Sequence, residues 1–315
     1  MPPASRVTIL AGGVGAARFL GGLVRVVDPA RVTAICNVGD DFAWNGLHVS
    51  PDIDTVIYTL AGIEGEFGWG LRDDTRTVLD AMEALGEPAW FGVGDRDLAT
   101  HLTRTARLAA GEPLSAATAV LASARGVAST ILPVTDDPHP TMVVTAEGEL
   151  AFQEYFVHRR ASDTVTGFRF PGAEAARPAP GVLDAIAGAD AIVIAPSNPF
   201  VSIDPLLQVE GVRAAIEAAR APRVAVSPIV GGQAIKGPAA AMLEALGHEV
   251  SAFGVARLYA GLVDWYVLDE QDAALAGAVE ALGMRVHVTD TMMTGPERRA
   301  ALARSVLSAI GAIDA

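Results

Sequence analysis

Lysine is almost absent from this chain of 315 residues: Lys236 stands alone, and every other basic side chain is an arginine. Lys and Arg total 23 against 37 Asp and Glu, a formal net charge of −14. So acidic a balance argues against nucleic acid as a partner and against a basic membrane-surface protein, because both rely on Lys and Arg to meet phosphates. Any anion held here must be met by arginine, backbone N–H groups, helix N-termini or a metal ion. Cysteine is equally scarce, and the single Cys36 excludes an internal disulfide, as expected of a reducing compartment. Long apolar runs are missing too. Mean hydropathy is +0.35, but alanine supplies most of it, and no window approaches the roughly 18 uninterrupted apolar residues of a spanning helix. The apolar run 7–10 behind Arg6 is cut by Gly12, Gly13 and Gly15 and closed by Arg18, unlike a secretory leader. The cytoplasm is the expected compartment.

What is present is ample apolar material, 51% of residues, enough for a large α/β core. Residues 7–10 form a buried strand, 12–15 a glycine turn, 16–27 a helix and 32–35 a second strand, the βαβ grammar of a parallel sheet. The grammar returns at 191–195, which ends in Pro196-Ser197-Asn198-Pro199, and at 224–226, which ends in Ser227-Pro228-Ile229. Strands that stop at polar turns should bring these loops and the glycine loop to one crevice, since open α/β sheets bind ligands at their carboxyl ends. Residues 68–180 read differently, with helices at 75–85, 98–110 and 114–123 and a hairpin over 141–145 and 150–157. The expected fold is a Rossmann-like parallel sheet with helices on both faces, built from residues 1–67 and 181–315. Residues 68–180 are then an insertion over the cleft.

Three clusters carry candidate chemistry. Gly12, Gly13, Val14 and Gly15 lie between strand and helix, where N–H groups and the helix dipole favour an anion, and Arg18 adds a forked donor. The dinucleotide fingerprint is incomplete, because Arg18 stands where a third Gly or Ala would sit, and a tight turn with no ligand is the competing reading. Asp40 and Asp41 end the second strand, while Asp52 and Asp54 open the next helix. Four clustered carboxylates suit Mg²⁺, although Asp52 also fits a helix cap. Residues 94–101, with Arg96 and His101, form a charged entry to a helix; capping by Asp95 or Asp97 and a structural His101 compete with a catalytic role. Thr135-Asp136-Asp137 and 290–294 are weaker turn-like signals. Trp44, Trp69, Trp90, Phe152, Tyr155 and Phe156 are available to wall a flat-ring site or to pack the core.

Taken in order from residue 7 to about residue 294, these blocks resemble the 2-phospho-L-lactate transferase (CofD/FbiA) family of coenzyme F-420 biosynthesis. The blocks are 11–20, 37–41, 50–56, 68–70, 94–101, 152–154, 195–199 and 227–229, and residues 90–98 look closer to the bacterial phosphoenolpyruvate transferase branch. The resemblance implies transfer of a phosphorylated three-carbon acid from a guanosine diphospho-linked donor to the ribityl hydroxyl of the deazaflavin Fo, releasing GMP with Mg²⁺. It implies that Asp40 and Asp54 hold Mg²⁺ with Asp41 assisting, that Asp54 orients or deprotonates the acceptor, and that Arg96 serves catalysis. Gly12 to Gly15 with Arg18 would cradle donor phosphate. Ser197, Asn198 and Ser227 suit the guanosine, and Trp44 belongs to the binding set. Thr135 stands where family members tend to carry Ser, and Gly92 where some archaeal members carry a basic residue. A related nucleotide-sugar-binding regulatory protein without turnover is the alternative, and an NAD-dependent dehydrogenase fits less well. Small-molecule substrates and a homodimer complete the expectation.

Overall fold

Seven short segments, most of them apolar, become the strands of one parallel sheet. In the computed structural model, which describes residues 5–314, these are β1 (Val7–Ala11), β2 (Val32–Cys36), β3 (Thr130–Pro133), β4 (Ala191–Ile194), β5 (Arg223–Val226), β6 (Trp265–Asp269) and β7 (Arg285–Thr289). Their order is β7-β6-β5-β4-β1-β2-β3, and each neighbouring pair is parallel. β1 and β4 are buried along their whole length, as expected of strands covered by helices on both faces. The chain winds outward from β1 to β3, then crosses to the other side of β1 and winds outward again. This is the doubly wound arrangement, and its switch point falls between β1 and β4.

The insertion is less continuous than residues 68–180 imply. β3 lies inside that span yet completes the sheet edge, pairing Thr33 with Thr130 and Cys36 with Pro133; at four residues it is too short to stand out from the apolar segments around it. The hairpin differs as well. Its second strand, Gly148–Ala151, ends early, because Phe152 and Tyr155 are both buried at a helical spacing and the chain turns into a π-helical segment, Glu154–His158. A third strand, Val165–Arg169, covers the other edge of Met142–Thr145.

Six helices matter for the site: α1 (Gly13–Leu23), α2 (Pro51–Leu60), α3 (Thr77–Ala84), α4 (Asp95–Ala109), α5 (Leu114–Ala124) and α6 (Pro296–Ala309). α1 packs between α2 and α6. The entries of α3 and α4 cap one another. Asp95, at the start of α4, accepts from Thr77 and Val78 N–H groups of α3, while Asp74 accepts from Arg96 and Asp97 N–H groups. No helix among the described residues is long and apolar enough to cross a membrane.

Candidate active site

A cleft of about 410 Å³ opens at the switch point, lined by the loops after β1, β4 and β5 and by the start of α2. Close approach of backbone builds it. A Cβ on Gly15 would lie 2.1 Å from the Pro196 carbonyl oxygen, so only glycine lets α1 start this near the β4 loop. The Ser197 hydroxyl donates to the Gly12 carbonyl at 2.8 Å and joins the two loops. The glycine turn is partly occupied already: Gly13 N–H donates to Asp52 at 2.7 Å. Val14 and Gly15, whose N–H groups have no intrahelical acceptor, line the cleft.

The acidic cluster divides in two. Asn37 Nδ2 donates to Asp40 at 3.1 Å, to Asp52 at 2.9 Å and to the Val201 carbonyl at 3.1 Å. Asp40 and Asp52 are both buried. Burial, then the Asp52 charge, pushes the Asp40 carboxyl well above its ordinary range. Burial raises Asp52 to about 6 despite hydrogen bonds from Asn37 and Gly13. Asp54 sits apart, with one oxygen 3.0 Å from Arg104 Nη1 and the other bonded to Nη2. Arg104 is fully buried; burial works against its charge, but Asp54 outweighs that and raises its pKa. His101 lies 3.6 Å from Asp54 on one ring nitrogen and 3.6 Å from Asp97 on the other. Tyr58 donates to Asp97 at 2.6 Å.

Several expected site residues do line this cleft: Gly12, Gly13, Val14, Gly15, Arg18, Asp40, Asp54, Ser197, Asn198 and Ser227. Three do not. Asp41 turns away, its Oδ2 bound by His48 at 2.9 Å and Ser50 at 2.6 Å. Arg96 points outward, 59% exposed and 3.6 Å from Asp74, because position 96 lies on the outer face of α4. Trp44 ends the strand before an Asn45-Gly46 turn and packs with Val49, Leu79 and Val93 in a satellite core. Of the aromatic side chains expected to wall the site, Trp69, Phe152 and Phe156 line the cleft and Phe91 joins them, while Trp90 and Tyr155 do not; Phe152 stacks on Phe156 at 5.5 Å.

Arg104 went unnoticed in the sequence, and Asn37 stood there only as the first residue of the 37–41 block, with no role of its own. Arg104 carried a signal: Asp97, Thr100, His101 and Arg104 are the buried residues of α4, a helical stripe that is polar where a core-facing stripe is apolar.

The expected cage of Asp40, Asp41 and Asp54 does not form, and no group of three His, Cys, Asp or Glu among the described residues is arranged around a metal position. The donor set nevertheless suits Mg²⁺ shared with a ligand. Asp40 and Asp52 crowd like charge in a buried place, which a cation relieves, and Mg²⁺ is commonly held by one or two carboxylates plus substrate phosphate.

The family model for 2-phospho-L-lactate transferase CofD matches residues 7–304. A phosphoenolpyruvate transferase of Streptomyces griseus is 48% identical over 309 residues, covering 96% of this chain and 97% of the relative. A 2-phospho-L-lactate transferase of Methanothermobacter thermautotrophicus is 41% identical over 308 residues, with 97% and 98% covered. Among solved structures, a UPF0052 family protein of Bacillus halodurans superposes with a TM-score of 0.63 over 98% of this chain and 100% of its own, at 17% identity; this likeness concerns the fold. With the family model spanning all seven strands and the cleft between them, the chain belongs to the 2-phospho-L-lactate transferase CofD family and is a transferase of coenzyme F-420 biosynthesis.

Proposed function

We propose that this enzyme moves a phosphorylated three-carbon acid from a guanosine diphospho-linked donor to the terminal ribityl hydroxyl of Fo and releases GMP. The observation that carries the reading is the meeting, in one cleft, of the glycine turn, Asp40 and Asp52, Asp54 held from behind by Arg104, and a wall of flat rings. In such a transfer the hydroxyl oxygen bonds to phosphorus and releases its proton to solvent as the bond from phosphorus to the GMP oxygen breaks, so positioning and electrostatics dominate. The first turn of α1 and Arg18 hold donor phosphate. Ser197, Asn198 and Ser227 face the guanosine. Asp54, fixed by Arg104, orients the acceptor hydroxyl, and Trp69 and Phe152 flank the deazaflavin. Asp40 would hold Mg²⁺ together with donor phosphate, with Asp52 in support, and the ion would supply positive charge to the pyrophosphate as GMP departs.

The reading is tested by incubating the protein with Fo, Mg²⁺ and, in turn, the guanylylated forms of phosphoenolpyruvate, 2-phospho-L-lactate and 3-phosphoglycerate, followed by mass spectrometry of the deazaflavin. A mass gain equal to the phospho-acid with one GMP released per product, lost on chelation, is expected, and phosphoenolpyruvate is the first acid to try. Failure of all three donors while Fo still binds refutes it.

A further inference from the structure

The only lysine of the chain is brought by the fold to the mouth of the cleft. Lys236 follows a small hairpin, Ile229–Val230 paired with Gln233–Ala234, that continues from the end of β5. From there its ammonium reaches the loop before α3. It lies 4.5 Å from the centroid of the Trp69 ring and donates to the carbonyl oxygen of Phe67.

Both partners are uncharged. Arg18, the other basic side chain lining the cleft besides His101, keeps its Nε buried without a hydrogen-bond partner. Neither side chain has a carboxylate within ion-pair distance among the described residues, in a chain where acids outnumber bases 37 to 23. The two charges also act on each other. Burial and then Arg18 lower the pKa of Lys236, and burial and then Arg299 lower that of Arg18, with the Glu64 charge offsetting only part of this. Like charges held without a carboxylate in direct contact are relieved by an anion placed between them.

We propose that Lys236 determines donor specificity by pairing with the carboxylate of the three-carbon acid, leaving the pyrophosphate to Arg18 and the glycine turn. The proposal rests on the transferase reading above. The division follows from the chemistry of the groups. Pyrophosphate suits backbone N–H groups and a planar fork, whereas a compact ammonium suits a single carboxylate. In phosphoenolpyruvate and 2-phospho-L-lactate the carboxylate carbon is bonded to the carbon that carries the phosphoester oxygen, so the carboxylate lies beside the reacting phosphorus; in 3-phosphoglycerate it is one carbon further away. Trp69 holds the ammonium over the cleft mouth through its ring face.

The test compares a guanosine diphospho-linked acid with its neutral methyl ester in wild type, Lys236→Met and Lys236→Arg. A charge-assisted bond of this kind makes wild type prefer the free acid by about 10- to 100-fold in kcat/KM. In Lys236→Met that preference falls to near unity through a higher KM for the acid, with KM for Fo unchanged, and Lys236→Arg restores part of it. A second arm needs no turnover. Pyridoxal phosphate with borohydride labels Lys236, resolved from the N-terminal amine by peptide mapping; the acid donor should protect it and the ester should not. Undiminished preference for the acid in Lys236→Met, or equal protection by acid and ester, overturns the proposal. Absence of turnover with every donor in wild type instead overturns the transferase reading beneath it.

Discussion

Arg104→Met isolates the most heavily buried charged side chain among the described residues. Arg104 is 0% exposed and its Nη1 lies 3.0 Å from Asp54. At that distance and an effective dielectric of about 20, the attraction is about 5 kcal/mol. Methionine keeps much of the stem and removes the charge, leaving the Asp54 carboxylate buried without its counterion. Removal of one partner of a buried pair costs about 3–5 kcal/mol, a large share of the roughly 5–15 kcal/mol that holds a domain together. Urea unfolding followed by circular dichroism, with the m-value checked for constancy, should therefore show a loss near 4 kcal/mol on the scale just cited. The decisive comparison is Asp54→Asn combined with Arg104→Met. If the loss comes from the stranded carboxylate, the double variant recovers at least half of it while remaining inactive in transfer. Additive losses in the double variant would refute the reasoning and make Arg104 a packing residue whose charge is incidental.

Asp40→Asn should separate stability from function: the amide oxygen still accepts from Asn37, the crowded charge beside Asp52 is gone, and the ligand-free protein should gain about 0.5–2 kcal/mol by thermal melting while transfer is lost. A less stable Asp40→Asn protein would count against this. Gly15→Ala drives a Cβ into the Pro196 carbonyl at 2.1 Å, an overpacking cost of about 1–3 kcal/mol, and should raise the donor KM in steady-state kinetics more than the Fo KM. His139 gives a pH prediction. Burial lowers its pKa below the ordinary 6.5, its Nε2 donates to the Pro205 carbonyl at 2.8 Å and its Nδ1 is buried without a partner. The folded state therefore favours neutral imidazole, so its contribution is full above about 6.5 and is lost as pH falls through the depressed folded value. Melts of wild type and His139→Gln between pH 7.5 and 5 should converge on acidification, and parallel curves would exclude the titration.

The parts of the fold legible in sequence were those governed by short-range pattern. β1, β2, β4 and β5 announce themselves as apolar runs ending in Gly, Pro, Ser or Asn, and their carboxyl ends do share one cleft. β3 was lost because four residues carry little periodicity and its membership in the sheet depends on pairing with β2, a contact about a hundred positions away in sequence. Residues 150–157 misled because aromatic side chains favour strands by propensity, whereas burial of Phe152 and Tyr155 selected a helical turn. In the site, chemical type was readable and direction was not. Asp40, Asp41 and Asp54 look alike as letters, yet His48 and Ser50 claim Asp41 and Arg104 claims Asp54. Arg96 fails for a rotational reason, since on α4 it faces away from the stripe that carries Asp97, His101 and Arg104.

Asn37 has a consequence of its own. Its amide nitrogen carries two hydrogens, yet three acceptors lie within 3.1 Å of it: Asp40, Asp52 and the Val201 carbonyl. One acceptor is thus always short of a full bond. Asp40 belongs to the turn after β2, Asp52 to the start of α2 and Val201 to the segment after β4, so the shortage is shared by both halves of the sheet. A ligand or cation that satisfies either aspartate frees a hydrogen for Val201, tightening the loop that also carries Ser197 and Asn198. Occupancy on one side of the cleft is in this way transmitted to the other by a single side chain, without any domain having to move.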